Sequence, residues 1–188
     1  PRQDETIKVV GLRRKIAENM QEAKRRIPHF ALVEQFDVTD LEDTRAMMNR
    51  DRGSNPKLTI LPFLITALSK TMADFSMINA TYDDDANVVT ARSGKASREE
   101  LSGPTFTISS LGPMGGIAST PVINPPQVAT IAVNKLQEIP VIVDGELEAR
   151  KVMNLSLSCD HRVVDGWDAA NFLQALKELI ENPLRLLS

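Results

Sequence analysis

An Asp144-Gly145 pair stands between β-rich runs, with "VATIAVN" and "IPVIV" before it and "ELEARKVMNLSLSC" after it. Asp-Gly in this setting signals a tight hairpin, because its turn needs positive φ and these two residues tolerate it. The chain must therefore build an antiparallel pair in its C-terminal third, and the remaining elements must pack around that pair. The stretch "GWDAANFLQALKELIEN" follows as an amphipathic helix with Phe172, Leu173, Leu176, Leu179 and Ile180 facing inward. Upstream, "GLRRKIAENMQEAKRRIPHF" puts Leu12, Ile16, Met20 and Ala23 on one helical face, and Pro28 stops it. "FALVEQFDV" reads as a strand. "VTDLEDTRAMMNR" reads as a helix running to about Arg50, with Thr39 and Glu42 spaced as a capping box. "LPFLITALSKTMADF" is a strongly apolar helix with Pro62 near its start, where proline is tolerated. "YDDDANVVT" is a turn entering a strand, and "ARSGKASREELSG" is a polar loop with a second cap at Ser97 and Glu100. "TFTISS" is a strand and "LGPMGG" a glycine-rich turn. This irregular mixture, without an internal repeat, points to an α+β fold with a mixed or largely antiparallel sheet.

The 188 residues suit one domain with a sizeable core. A net charge of −3 gives no nucleic-acid footprint, and no apolar run is long enough to span a bilayer. The single cysteine, Cys159, cannot form an internal disulfide, which fits a reducing compartment.

Chemistry concentrates in "SLSCDHRVVDGWDAANF". His161, one of two histidines, sits where a strand meets a helix, a junction that often carries chemistry on a rigid frame. A lone histidine is more often structural than catalytic, but Asp160, Arg162, Asp165 and Gly166 crowd this one. Asp165 can orient the loop through an arginine or through backbone N–H groups, or can simply cap the final helix, a role open to Asp168 as well. Ser109, at a strand end beside the glycine-rich turn, can donate to a developing oxyanion; its plainer reading is a turn-forming serine. No G-x-S-x-G elbow surrounds it, which argues against a nucleophile. Cys159 reads as a small buried residue and His29 as structural. No metal-ligand spacing, phosphate loop or dinucleotide glycine pattern occurs.

"DHRVVDG" resembles the H-x-x-x-D-G motif of the catalytic domain of 2-oxo-acid dehydrogenase acyltransferases. "GLRRKIAENM", "RIPHF", "VTDLEDTR", "LPFLITAL", "INATYDD", "TFTISSLGPMGG" and "TPVINPPQVATIAVNK" are similar to the same family, in family order, so the resemblance covers nearly the whole chain. Chloramphenicol acetyltransferases and peptide-synthetase condensation domains share the histidine motif alone. The "INPPQVA" and "VTDLE" blocks argue against a drug-inactivating acetyltransferase. Within the family, "KVMNLS" and Trp167 are most like the bacterial branched-chain type.

The resemblance implies a two-layer α+β sandwich with a mixed, largely antiparallel sheet, like chloramphenicol acetyltransferase. It implies one catalytic core domain, 1–188, that transfers an acyl group between dihydrolipoamide and coenzyme A. The acyl group is expected to be branched; acetyl and succinyl transfer, by the pyruvate-type and 2-oxoglutarate-type enzymes, are the alternatives. A succinyl carboxylate needs a cationic partner, and only Arg162 is near, whereas Met114, Ile117 and Val163 suit a hydrocarbon chain. His161 is implied as general base, Ser109 as oxyanion donor and Asp165 as the residue holding the histidine loop. Coenzyme A contacts fall on Arg45, Thr59, Ser109, Ser110, Asn134 and Leu136. The lipoyl group is expected as a substrate carried on a separate domain, and no metal is expected.

Expected partners are two further copies in a homotrimer, a larger cage of trimers joined through the C-terminal "NPLRLLS", and the dehydrogenase and dihydrolipoamide dehydrogenase components of the complex. Neither nucleic acid nor membrane is expected as a partner. The implied location is the cytoplasm in a bacterium, or the mitochondrial matrix in a eukaryote. One departure stands out. Between Thr90 and Ala91 the family has a further strand pair, a "GLVVPVI"-like run and a helix, roughly 40 residues at ordinary lengths. Either this is a deletion, which would leave a structural core with impaired catalysis, or a segment is left out of the numbered sequence. Losing that much core from a marginally stable fold favours the second.

Overall fold

The structure, a computed structural model, describes residues 4–92 and 103–187. In chain order the elements are α1 (Gly11–Arg26), β1 (His29–Asp37), α2 (Thr39–Arg50), α3 (Leu61–Met72), β2 (Ala80–Asp83), β3 (Val88–Ala91), β4 (Phe106–Ser110), β5 (Ala129–Val143), β6 (Glu146–Asp160), α4 (Gly166–Glu181) and α5 (Leu184–Leu187). The expected cap at Ser97 and Glu100 lies outside the described residues.

The Asp144-Gly145 turn forms as read, with positive φ at both residues, 51° and 87°. "VATIAVN", from its second residue on, and "IPVIV" are not separate strands: both lie in the single 15-residue β5, which carries a register shift between Val133 and Leu136. A bulge absorbs the irregular residues without ending the pairing. The main sheet runs β1-β6-β5-β4, with β4 parallel to β5 and the other pairs antiparallel. β2 and β3 form a separate two-stranded sheet, and Thr90 and Ala91 are consecutive residues of β3. The expected α+β fold with a mixed, largely antiparallel sheet is present.

Side chains alternate across a strand, so "NLSLSCD" serves two layers. Leu155, Leu157 and Cys159 join the core with Ile131 of β5, Leu64 and Leu68 of α3, and Phe172 and Leu176 of α4. The Phe75 and Phe172 rings meet edge to face at 5.5 Å. Ser156, Ser158 and Asp160 point to the other face yet are equally buried. The segment 111–128 is held against that face: Ser119 N–H donates to Ser156 Oγ, and Ile123 N–H donates to His29 Nε2.

Two local expectations change. Thr39 is not a cap: Asp37 Oδ1 accepts from both its N–H and its hydroxyl, and Glu42 turns instead to Arg45. The competing carboxylate two residues earlier takes the Thr39 N–H that Glu42 would accept in a capping box, and the Glu42 N–H goes to Val38 O instead. In α1 the predicted apolar face is not covered by the described residues, since Leu12 and Ile16 are exposed and only Ala23 is buried.

His29 is structural. Its Nδ1 lies 2.9 Å from Ile27 O while Nε2 accepts the Ile123 N–H at 3.0 Å, so the ring is neutral with the proton on Nδ1. Burial holds its pKa below the ordinary 6.5, against an opposing pull from the Ile27 carbonyl. The unfolded chain then binds a proton near pH 6.5 that the folded chain refuses, so His29 costs stability as pH falls below about 6.5. The His29→Gln variant should lose less stability than the parent between about pH 7.5 and about pH 5, measured as denaturant midpoints.

Candidate active site

His161 follows β6 directly. Its backbone N–H donates to Pro28 O at 3.1 Å, and its exposed ring lies 4.4 Å from the Phe30 ring. The residues on either side fix the loop. Asp160 is 1% exposed, and its carboxylate accepts from Arg162 N (3.0 Å), Nε (3.0 Å) and Nη2 (2.7 Å). Arg162 also bonds Asp84, and its guanidinium carbon lies 4.5 Å above the Tyr82 ring. The Asp160 hydrogen bonds raise the Arg162 pKa further, so this charge is permanent. Asp165 acts through the backbone: its Oδ1 accepts the Asp168 N–H at 2.8 Å and caps α4. Arginine is not its partner among the described bonds, because Arg162 is engaged by Asp160 and Asp84.

Ser109 lies on the edge strand β4, exposed, opposite Ala132 of β5. With Gly115, Gly116, Ser119, Pro121, Val133 and Asn134 among its neighbours, it lines a pocket of about 140 Å³. Ser110 is exposed, and its Oγ accepts from Gly112 N–H. Leu136 is exposed just past the bulge. Asn134 is buried and fully engaged: Nδ2 donates to Asn154 O and Ser156 Oγ, and Oδ1 accepts from Ser119 Oγ. Arg45 makes two 2.7 Å bonds to Glu42 and a third to Leu58 O, beside exposed Thr59. Of the expected coenzyme contacts, those exposed without rearrangement are therefore Thr59, Ser109, Ser110 and Leu136. A phosphate at Arg45 has to compete with Glu42.

Ser109 and His161 do not meet within one chain. Ser109 registers with Ala132, and Ala132 with Ser156; His161 lies well beyond Ser156 on β6. At about 3.4 Å per residue the offset is on the order of 17 Å along the strands. The His161 ring is not part of the Ser109 pocket. Burial pushes the Cys159 thiol up to about 12, so it is an inert core group. Among the described residues no His/Cys/Asp/Glu group could hold a metal ion, and no helix is long and apolar enough to cross a membrane.

Sequence reasoning overlooked Tyr82 and Asp84, which hold Arg162, and Ser119, Asn154 and Ser156, which hold the segment after Ser109. The only sequence signal for the latter was the serine alternation in "NLSLS".

Two stretches, residues 1–90 and 87–188, match the family described as 2-oxoacid dehydrogenases acyltransferase (catalytic domain). The chain belongs to this family. The lipoamide acyltransferase component of the branched-chain alpha-keto acid dehydrogenase complex of Pseudomonas aeruginosa is 48% identical over 227 residues, covering 97% of this chain and 53% of that protein. The dihydrolipoyllysine-residue acetyltransferase component of the pyruvate dehydrogenase complex of Staphylococcus epidermidis is 31% identical, with 97% and 52% covered. The chain thus spans about half the length of these relatives. The 227 aligned residues also exceed the 188 of the whole chain, so the Pseudomonas protein carries residues that this sequence lacks.

Among solved structures, the Azotobacter vinelandii dihydrolipoamide acetyltransferase superposes with a TM-score of 0.86 at 26% identity, over 99% of this chain and 95% of that one. In that protein a serine, a histidine and an asparagine have a role in the catalytic mechanism. Their separations along the chain equal those of Ser109, His161 and Asp165. The cubic core of the pyruvate dehydrogenase multienzyme complex superposes with the same TM-score, 0.86, at 26% identity over 99% of this chain and 95% of that one. A chloramphenicol acetyltransferase, at 11% identity and TM-score 0.54 over 87% of this chain and 91% of that one, shares the fold.

Proposed function

We propose that this chain transfers an acyl group between dihydrolipoamide and coenzyme A, with a branched acyl group preferred, in the core of a 2-oxo-acid dehydrogenase complex. The observation that carries the reading is the 48% identity, across almost the whole chain, to a branched-chain lipoamide acyltransferase component. The pyruvate-complex relative is far less similar, at 31%. The chain is one catalytic core domain, 1–188, that lacks a family segment between Thr90 and Ala91. The two family matches, which join at residues 87–90, support that placement. Intact mass decides how the gap arose: about 20.7 kDa means a deletion in the molecule, and several kDa more means a segment outside the numbered sequence.

The chemical task is transfer between two thiols. A thiol with pKa near 8.5 is mostly protonated at neutral pH, and only the thiolate attacks. His161 takes the proton as general base, and Ser109 donates to the oxyanion that forms on the thioester carbonyl; the intermediate collapses with cleavage of the original C–S bond, and the departing thiolate takes the proton back from His161. Asp165 holds the histidine loop through the cap on α4. No acyl-enzyme is needed. Coenzyme A contacts fall on Thr59, Ser110 and Leu136, and on Arg45 once Glu42 releases it, while the buried and fully engaged Asn134 acts on the coenzyme only through the pocket wall it holds. No metal takes part.

The separation of Ser109 from His161 supports a site built between copies, with the histidine of one chain facing the serine pocket of the next in a homotrimer. Likeness to a cubic core supports assembly of trimers into a larger cage, with exposed Leu184 of α5 in the joint. The dehydrogenase and dihydrolipoamide dehydrogenase components are the functional partners, with the lipoyl group on a separate domain. Bacterial relatives favour a cytoplasmic location. The test of acyl preference is the ratio of kcat/KM for isobutyryl-CoA and acetyl-CoA. An apolar pocket gains about 1–3 kcal/mol per methylene, so a ratio of at least about 10 is expected. A ratio below one would return the chain to acetyl transfer, and dominant succinyl transfer would make it the 2-oxoglutarate type.

A further inference from the structure

We infer that Asn134, with Ser119 and Ser156, is a positioning device that holds the segment 111–121 as the wall of the Ser109 pocket, and that Asn134 acts on transfer through that wall. The inference rests on the acyl-transfer reading above and names how its Ser109 half is kept in shape.

Two buried side chains, Asn134 and Ser156, meet the exposed Ser119 at the bulge of β5. Asn134 is 5% exposed and Ser156 is fully buried. Asn134 Nδ2 donates at 2.9 Å to Asn154 O and at 2.9 Å to Ser156 Oγ, while its Oδ1 accepts from Ser119 Oγ at 3.0 Å. Ser156 Oγ also accepts the Ser119 N–H at 3.2 Å. One short side chain must supply two donors and one acceptor, and asparagine has that inventory whereas aspartate and leucine do not. Next to this cluster, Asn154 Nδ2 donates to Ile117 O at 2.9 Å, and Lys135 N–H donates to Gly116 O at 3.1 Å. A Cβ on Gly115 would lie 3.1 Å from Gly112 O and 3.5 Å from Lys135 N, so the loop rests directly on β5.

The consequence is geometric. Gly115, Gly116, Ser119, Thr120 and Pro121 form one side of the Ser109 pocket, and Ala132, Val133 and Asn134 the other. The strand side is fixed by the sheet. The loop side has no regular secondary structure beyond a short turn at Gly112–Met114, and its place depends on these few hydrogen bonds. An oxyanion donor works only when the reacting carbonyl is held against it, and a misplacement of about 1 Å can cost about 10²-fold. Asn134 therefore sets where the acyl group rests against Ser109, without touching it.

The test compares Ser119→Ala, which keeps the Ser119 N–H to Ser156, with the harsher Asn134→Ala, both in the intact assembled chain. Two readouts are taken: amide hydrogen exchange over residues 112–121, and the kinetics of isobutyryl transfer to dihydrolipoamide. Both variants should speed exchange at Ser119 and its neighbours by about tenfold or more while the β5 and β6 core amides stay protected. Both should lower kcat by about tenfold, with the KM for isobutyryl-CoA within about twofold of the parent. Unchanged exchange in both variants would overturn the inference. So would a raised KM for isobutyryl-CoA with kcat intact, which would make Asn134 a direct contact to the coenzyme part of the substrate. A parent chain with no transfer activity at all would refute the functional reading instead, and the exchange data would still decide whether Asn134 holds the loop.

Discussion

Replacing His161 by asparagine is expected to lower kcat for acyl transfer by about 10²–10⁴-fold, the usual contribution of a general base. The physical reason is the protonated thiol, which is a poor nucleophile until a positioned base removes its proton. An imidazole changes protonation near neutral pH and is the side chain best matched to that task. Stability should change little. The His161 ring is exposed and lies against Phe30 alone among the described ring contacts, so its loss exposes no core. The loop keeps its anchors, since the His161 backbone N–H still reaches Pro28 O and the Arg162–Asp160 bonds are untouched. Turnover and thermal midpoint measured together separate the outcomes. A near-normal kcat would remove His161 from the mechanism.

Replacing Arg162 by alanine should cost about 3 kcal/mol of stability, the low end of what breaking a buried ion pair costs. The low end applies because the Arg162 side chain is itself 30% exposed. Asp160 is the reason for the size: at 1% exposure it would keep a carboxylate with no cation beside it, and Asp84 would lose its link to the histidine loop. Asp160→Asn combined with Arg162→Ala should recover part of the loss, because the stranded charge is gone. The check is a shift in the denaturant midpoint at constant m-value. A loss under about 1 kcal/mol would mean that the pair behaves like an exposed one.

Much of this arrangement was readable from local pattern. The Asp-Gly turn, the period of two in "NLSLSC" and the helical period of "GWDAANFLQALKELIEN" each report on neighbours a few residues away, and each element formed where expected. Leu179 is only partly buried, at the margin of its helical face. Readings failed where the deciding partner lay elsewhere. The length of β5 depended on a bulge that its partner strand defines. The Thr39 N–H of the expected cap goes to Asp37, and the Glu42 N–H to Val38 O. The apolar face of α1 was real as a pattern, but the described residues do not cover it. The site was legible in its residues and not in its geometry. His161 and Ser109 both drew notice, yet nothing in the linear sequence gives the offset between β4 and the end of β6. The Arg162–Asp84 bond joins residues 78 positions apart, beyond any local signal.

The central claim is that one chain supplies His161 and a neighbouring copy supplies Ser109 to a single acyl-transfer site. Co-assembling two crippled chains tests it directly. His161→Asn and Ser109→Ala are each made alone, where each should have little activity, and are then refolded or co-expressed together in equal amounts. In a cyclic trimer of randomly mixed chains, about one quarter of the sites between copies receive an intact histidine from one side and an intact serine from the other. The mixture should therefore regain about one quarter of the parent's transfer activity with isobutyryl-CoA and dihydrolipoamide, against the near-zero rates of the separate variants. If the mixed assembly forms but stays as inactive as its components, the two residues do not share a site between chains, and the account is contradicted.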